Sequence, residues 1–200
     1  MLNSANNEIL TRVGPGTAMG GLFRQFWQPA LLCEELPAPD CPPVRVRLMG
    51  ENFVAFRDSS GKVGLLDAHC PHRLAELFFG RNEEGGLRCV YHGWKFSVDG
   101  SCQEMPAEPE NTPMLKRGRV KAYPVQERNG VLWTYMGPDA EPPPLPVDDL
   151  VDGSLVHSRQ VRQFVLGKPS LLQRRRQGVF GCHGWTLYSR CVMTVKRMEG

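Results

Sequence analysis

The feature that most constrains this chain is a pair of short ligand-bearing segments, His69-Cys70-Pro71-His72 and Cys89-Val90-Tyr91-His92, with sixteen residues between them. As a pattern this is C-x-H followed by C-x-x-H. Each half sets a soft thiolate and a borderline imidazole in one loop, and the intervening segment is long enough to bring the two loops together. Two thiolates and two imidazoles serve either a tetrahedral zinc ion or a 2Fe-2S cluster in which histidines replace cysteines on one iron. Order bears on the choice. Zinc fingers generally pair cysteine with cysteine and histidine with histidine along the chain, whereas each loop here supplies one of each. The mixed order suits a dinuclear cluster, with Cys70 and Cys89 on the inner iron and His72 and His92 on the outer one. The zinc module remains the alternative, and metal analysis separates them.

The other five cysteines, Cys33, Cys41, Cys102, Cys182 and Cys191, have no histidine at useful spacing and are read as non-ligands. An odd total of seven without framework-like spacing fits a reducing compartment. The N-terminus lacks the basic-then-apolar order of a signal peptide, and no stretch approaches the roughly 20 apolar residues that span a bilayer. The expectation is a cytoplasmic protein with no membrane partner.

The sequence around the ligands reads as β-structure. Short alternating runs (44–48, 53–57, 63–67, 87–91, 96–98, 120–125 and 131–136) are separated by Met49-Gly50, Asp58-Ser59-Ser60-Gly61, Asp99-Gly100 and Asn129-Gly130. Asn-Gly and Asp-Gly tolerate the positive φ angles of tight hairpins, so the runs predict antiparallel strands in a mainly β sandwich or small barrel. Ahead of them, Met19, Leu22, Phe23, Phe26 and Trp27 follow helical spacing and predict a short N-terminal helix over 17–27, its apolar face packed on the β domain. A Pro-rich run, 138–146, predicts an extended spacer. The expected boundaries are an N-terminal helical segment at 1–28, the β domain at 29–137, the spacer and the start of a further domain at 138–163, and an irregular C-terminal tail at 164–200.

With these motifs in place, HCPHRLAELFFGRNEEGGLRCVYHGWKFSVDG resembles the Rieske segment of ring-hydroxylating oxygenase large subunits, the phthalate 4,5-dioxygenase-like branch in particular. The flanking GPGTAMGGLFRQFWQPALLCEELP, EMPAEP and VKAYPVQERNGVLWTYMGP resemble that branch as well, so the similarity runs from about Asn6 to Gly137. It implies a Rieske-type antiparallel β-sandwich with cluster-binding hairpin loops, a 2Fe-2S cluster on Cys70, His72, Cys89 and His92, and an oxidoreductase role in aromatic hydrocarbon catabolism. The implied partner is an NAD(P)H-dependent reductase, and the implied assembly of the full-length family is a homotrimer. Respiratory Rieske proteins carry an extra cysteine in each loop, joined as a disulfide; CPHRLAE and CVYHGW have none. The expected reduction potential therefore lies on the low side of the roughly −150 to +300 mV range.

Among the neighbours of the ligands, Trp94 and Tyr91 read either as shields of the cluster or as ordinary core aromatics. His69 is expected to point away from Cys70, and Arg73 reads as a solvated side chain or a contact for an acidic partner.

The resemblance also implies a second domain in which two histidines and a carboxylate hold a mononuclear iron(II). After Gln163 this chain offers only His183 and no Asp, so that site cannot be assembled from it, and activity by the chain alone is not expected. The tail is also electrically distinct. Residues 158–200 hold nine Lys/Arg against one acidic residue, net +8, while the other fifteen basic and twenty acidic residues leave −5. A nucleic-acid or acidic-partner arm, a genuine divergent end and a frameshifted or truncated end are the three readings. Loss of resemblance coinciding with the change in charge favours the third, and no nucleic-acid partner is expected. The functional expectation is the electron-transfer module of a phthalate-dioxygenase-like oxygenase; the alternative is a stand-alone Rieske ferredoxin.

Overall fold

In a computed structural model the described residues are 3–109 and 112–145, with the backbone of Leu155–Gln160 and Val192–Arg197. The chain separates into two compact units, Met1–Gly153 and Ser154–Gly200. Of the second, what is described is one antiparallel pair, residues 155–160 with 192–197, running from Leu155 opposite Arg197 to Gln160 opposite Val192. The tail expected to be irregular thus contains a strand at Val192–Arg197. The remainder of 164–200, including the Arg174-Arg175-Arg176 run, lies outside the described residues.

The first unit is built on a four-stranded antiparallel sheet: β2 (Val44–Leu48), β3 (Glu51–Arg57), β4 (Val63–Asp67) and β9 (Ala122–Tyr123), in the order β2-β3-β4-β9. The β2–β3 turn is set by Met49 and Gly50, both at positive φ, 51° and 81°, the combination a two-residue hairpin requires. Strand β3 is buried on both faces. Phe53 and Ala55 join Leu65, Leu31, Leu132 and Tyr123 in one core, while Val54 and Phe56 join Leu66, Leu87, Phe96 and Val120 in the other. Alternation in β3 therefore separates two apolar interiors, not an interior from water.

On one side of this sheet lies a three-stranded layer, β1 (Gln28–Leu32), β11 (Val131–Thr134) and β10 (Val125–Arg128), in the order β1-β11-β10. The Asn129-Gly130 turn between β10 and β11 has φ of 51° and 74°. On the other side a four-stranded sheet, β5 (Arg81–Glu83), β6 (Gly86–Arg88), β7 (Lys95–Phe96) and β8 (Cys102–Glu104), pairs in sequence order. The architecture is the expected mainly β antiparallel sandwich. Several strands are shorter than expected, for local reasons. The 87–91 run ends at Arg88 because Cys89 starts a ligand loop, and the 120–125 run divides at Pro124, which has no N–H for a ladder.

The N-terminal expectation needs correction. The helix over 17–27 is only Ala18–Phe23 (α2), capped by the Thr17 hydroxyl, which accepts from the Gly20 amide at 3.1 Å. A further helix, α1 (Ser4–Thr11), precedes it, with the Asn3 side chain accepting from the Asn6 amide at 2.8 Å. Of the predicted apolar face only Trp27 is buried; Leu22, Phe23 and Phe26 are exposed. At Gly20 a Cβ would lie 2.2 Å from the Gly14 carbonyl oxygen, so this glycine serves a close backbone approach. The Pro-rich spacer is tied back at two points: the Trp27 indole N–H donates to the Pro143 carbonyl at 2.8 Å, and the Tyr135 hydroxyl donates to Asp139 at 2.6 Å. Among the described residues no helix is long and apolar enough to cross a membrane.

Candidate metal centre

The two ligand segments sit in loops of the same construction. In the first, a bridge between His69 and Glu76 closes the base, the Cys70 amide donates to the Ala75 carbonyl at 2.9 Å, and the Leu74 amide donates to the Cys70 carbonyl at 2.9 Å. In the second, Arg88 pairs with Lys95, the Cys89 amide donates to the Trp94 carbonyl at 2.8 Å, and the Gly93 amide donates to the Cys89 carbonyl at 3.1 Å. The residue four places after each cysteine is left-handed in both, Leu74 at φ 57° and Gly93 at φ 74°. The loops differ in where histidine falls: two residues after the cysteine in the first and three in the second.

This frame brings the sequence-identified residues together. The Cys70 and Cys89 side chains are buried and within hydrogen-bond reach of each other, and the backbone amides of His72 and Arg73 also face the Cys70 sulfur. Burial, with the second thiol alongside, pushes the Cys70 thiol up to about 11. A protonated Cys70 thiol packed beside Cys89 in an apolar interior is the state a metal would displace, since metal binding exchanges such a proton for the ion. The imidazoles of His72 and His92 lie 4.5 Å apart between ring centroids, at 62° to each other. Nδ1 of His72 is buried with no hydrogen-bond partner. A buried, unsatisfied ring nitrogen is costly unless something outside the chain meets it. Two buried soft donors, two adjoining half-buried imidazoles on the same two loops and one orphaned nitrogen fit a 2Fe-2S cluster with mixed ligation. Among the described residues no three or more His, Cys, Asp or Glu side chains close on a single metal ion.

The surroundings resolve several sequence readings. Trp94 is a core residue and also lies against a candidate ligand: its ring is parallel to His72, with centroids 4.6 Å apart and 2° between planes. Tyr91 is exposed and sits 3.8 Å from the His92 ring. His69 and Arg73 are both exposed. Cys33, Cys41 and Cys102 are free; Cys102 lies in the same core as Cys70 and Cys89 but donates to the Glu104 carbonyl at 3.3 Å.

Sequence reasoning did not single out Arg88. Its guanidinium donates to Gly93 O at 3.1 Å, Glu83 at 2.6 Å and Glu104 at 2.8 Å, so it braces the second loop from below. Lys95, buried, pairs with Glu104 as well. Desolvation works against the Arg88 charge, but the hydrogen bonds it donates to Glu104 and Glu83 outweigh it and raise its pKa. Reciprocally, Arg88 lowers that of Glu83, while Lys95 and then Arg88 lower that of Glu104. The available signal was only a charge immediately before a ligand cysteine.

Comparison with known proteins agrees with this geometry. Residues 26–124 match the family model described as the Rieske [2Fe-2S] domain. The chain is 53% identical over 146 residues to the 3-chlorobenzoate-3,4-dioxygenase oxygenase subunit of Comamonas testosteroni, covering 73% of this chain and 34% of that protein. It is 48% identical over 143 residues to the phthalate 4,5-dioxygenase oxygenase subunit of Pseudomonas putida, covering 71% of this chain and 33% of the relative. The chain thus spans about a third of the length of the curated relatives it matches. Among solved structures, the oxygenase of a carbazole 1,9a-dioxygenase oxygenase–ferredoxin complex superposes with a TM-score of 0.62 at 26% identity, covering 78% of this chain and 39% of the other. Dicamba monooxygenase bound to dicamba superposes at 0.60 and 29% identity, covering 70% and 41%. Sequence match, superposition and the paired thiol-and-imidazole loops agree: residues 26–124 are a Rieske [2Fe-2S] domain, of the kind found in aromatic-ring-hydroxylating oxygenases.

Proposed function

We propose that Cys70 and Cys89 hold one iron and His72 and His92 the other iron of a 2Fe-2S cluster, and that the chain is the electron-transfer module of a phthalate-dioxygenase-like oxygenase. The observation that carries this reading is a buried thiol pair on the same two loops as two imidazoles 4.5 Å apart, one with an orphaned buried nitrogen. When bound, such a cluster supplies one-electron transfer at low potential.

The chain's own residues divide the work by depth. Cys70 and Cys89 lie in the core with Leu77, Leu87 and Phe96, which exclude water from the sulfurs. His72 and His92 are half-buried and so lie on the path between that interior and a docked partner. Leu74, Val90 and Tyr91 are exposed around them, an apolar rim that a partner surface would cover. Electrons would arrive from an NAD(P)H-dependent reductase or a ferredoxin; the solved carbazole dioxygenase oxygenase–ferredoxin complex supports that class of partner. The further boundaries are a spacer at 138–163 and a tail at 164–200, and the setting is the cytoplasm, where the free Cys33, Cys41 and Cys102 would stay reduced.

The test is iron and acid-labile sulfide analysis of purified chain, with electron paramagnetic resonance of the dithionite-reduced protein. Two irons and two sulfides per chain, with the low average g value of a histidine-ligated cluster, are expected. Cys89→Ser should abolish both iron and signal. One zinc per chain with no signal overturns the assignment.

A further inference from the structure

The two loops share a backbone frame but do not support their histidines equally. The position occupied by Trp94 in the second loop is occupied by Ala75 in the first: each provides the carbonyl that accepts from its loop's cysteine amide. Trp94, 7% exposed, lies within the core that also contains Cys70 and Cys89. Its ring does not stay with its own loop. It lies flat against His72 of the other loop, at 4.6 Å and 2°, and Phe96 backs it at 6.4 Å. The small Ala75 offers no such ring to His92, which meets instead the exposed Tyr91 at its own N-terminal side.

We infer that Trp94 is a positioning residue for His72: anchored in the second loop through its backbone, it fixes the plane of the first loop's imidazole and so ties the two loops together. This inference rests on the ligand assignment proposed above. A disulfide between the loops would do a related task, but the cysteines in these loops are Cys70 and Cys89 alone, and both are free. A parallel aromatic stack joins a rigid core side chain of one loop to a candidate ligand of the other. His72 also has few other constraints on ring rotation, because Nδ1 makes no hydrogen bond within the chain. Without the indole face, the imidazole keeps its proposed bond to the metal and its T-shaped contact with His92, and loses the flat surface against which its plane rests.

The test uses the full chain loaded with iron and sulfide, in four forms: wild type, Trp94→Phe, Trp94→Leu and Trp94→Met. Phe53→Leu, which removes a buried ring from the other interior, away from the two loops, serves as the structural control. The readouts are the g values of the reduced protein, the rate of iron release to a ferrous chelator, and the far-UV circular dichroism spectrum. Trp94→Leu and Trp94→Met should shift the g values and speed iron release by about 2- to 10-fold, the loss of one aromatic stack. Trp94→Phe should restore both, and Phe53→Leu should leave the g values as in wild type.

Unchanged g values and release rates in both ringless variants overturn the inference, as does an equal shift in Phe53→Leu. If both ringless variants fail to fold while Trp94→Phe and Phe53→Leu fold, Trp94 serves folding and the positioning role is lost. A wild type without the expected iron signal instead defeats the ligand assignment, so the two failures are distinguishable.

Discussion

Leu74 and Gly93 hold equivalent places in the two ligand loops, and both are left-handed, at φ 57° and 74°. Only glycine adopts that region without steric cost; a residue with a Cβ loses roughly 1–2 kcal/mol there. Leu74 is also 72% exposed, so its side chain returns little burial energy. Replacing it with glycine removes the strain and adds backbone freedom to the unfolded chain, an opposing cost of about 0.5–1 kcal/mol. The net expectation for Leu74→Gly is a gain of about 0.5–1 kcal/mol. Gly93→Ala runs the other way. It imposes the left-handed cost and brings a Cβ to 3.0 Å from Pro106 Cγ, which must give way. A loss of about 1–2 kcal/mol follows. The two variants should therefore stand about 2 kcal/mol apart, which for a urea slope near 2 kcal/mol per molar separates their midpoints by about 1 M. Urea unfolding followed by circular dichroism on the loaded protein measures this directly. Destabilisation by Leu74→Gly of more than about 1 kcal/mol would refute the reasoning, because the Leu74 side chain would then be making a contribution its exposure denies.

Arg88→Gln should destabilise the protein by about 2 kcal/mol, mainly through the lost charged hydrogen bond to the Gly93 carbonyl, and Arg88→Lys should recover only part of it because it keeps the charge but loses the fork; urea midpoints of the two variants decide this. Phe56→Ala empties a site at 0% exposure between β3 and the ligand-loop core and should cost about 3–5 kcal/mol, read from the same unfolding curves. Hydrogen bonds from Ser97 and Ser101 hold Asp99 at about 2, below its unfolded value of about 3.9. Its stabilising contribution is therefore complete above about pH 4 and drains as pH falls toward 2. Asp99→Asn should flatten that part of the acid-unfolding profile of the unloaded chain, and an unaltered profile would exclude the linkage.

What the sequence disclosed depended on whether side-chain pattern and backbone role coincide. Strands β2 and β4 match the expected runs because their apolar residues are framed by turn residues at positive φ, Gly50 and Gly61. The four candidate ligands were legible because thiolate and imidazole at that spacing have few uses. Strands β5, Arg-Asn-Glu, and β8, Cys-Gln-Glu, were not, since they pair through the backbone while their side chains are spent on ion pairs and turns. Strand β1 was hidden by Pro29, next to which its register shifts. The N-terminal periodicity was genuine but reports only an apolar stripe: Leu22, Phe23 and Phe26 are exposed, and α2 stops at Phe23. Trp94 was recognised as a residue of interest, yet its contact crosses from one loop to the other, which no local pattern encodes.

Strand β3 has a consequence for how this domain can vary. Because Phe53 and Ala55 face one interior while Val54 and Phe56 face the other, consecutive positions answer to different neighbours. A change of size at Phe56 is felt by Leu66, Leu87 and Phe96 under the ligand loops; the same change at Phe53 is felt by Tyr123, whose ring meets it edge-on at 5.1 Å. The strand is a party wall, and neither household can rebuild its side without regard to the other: sliding β3 by one residue would hand each interior the wrong set of side chains. Drift in the distal layer is thereby held in step with the layer that presents the histidines.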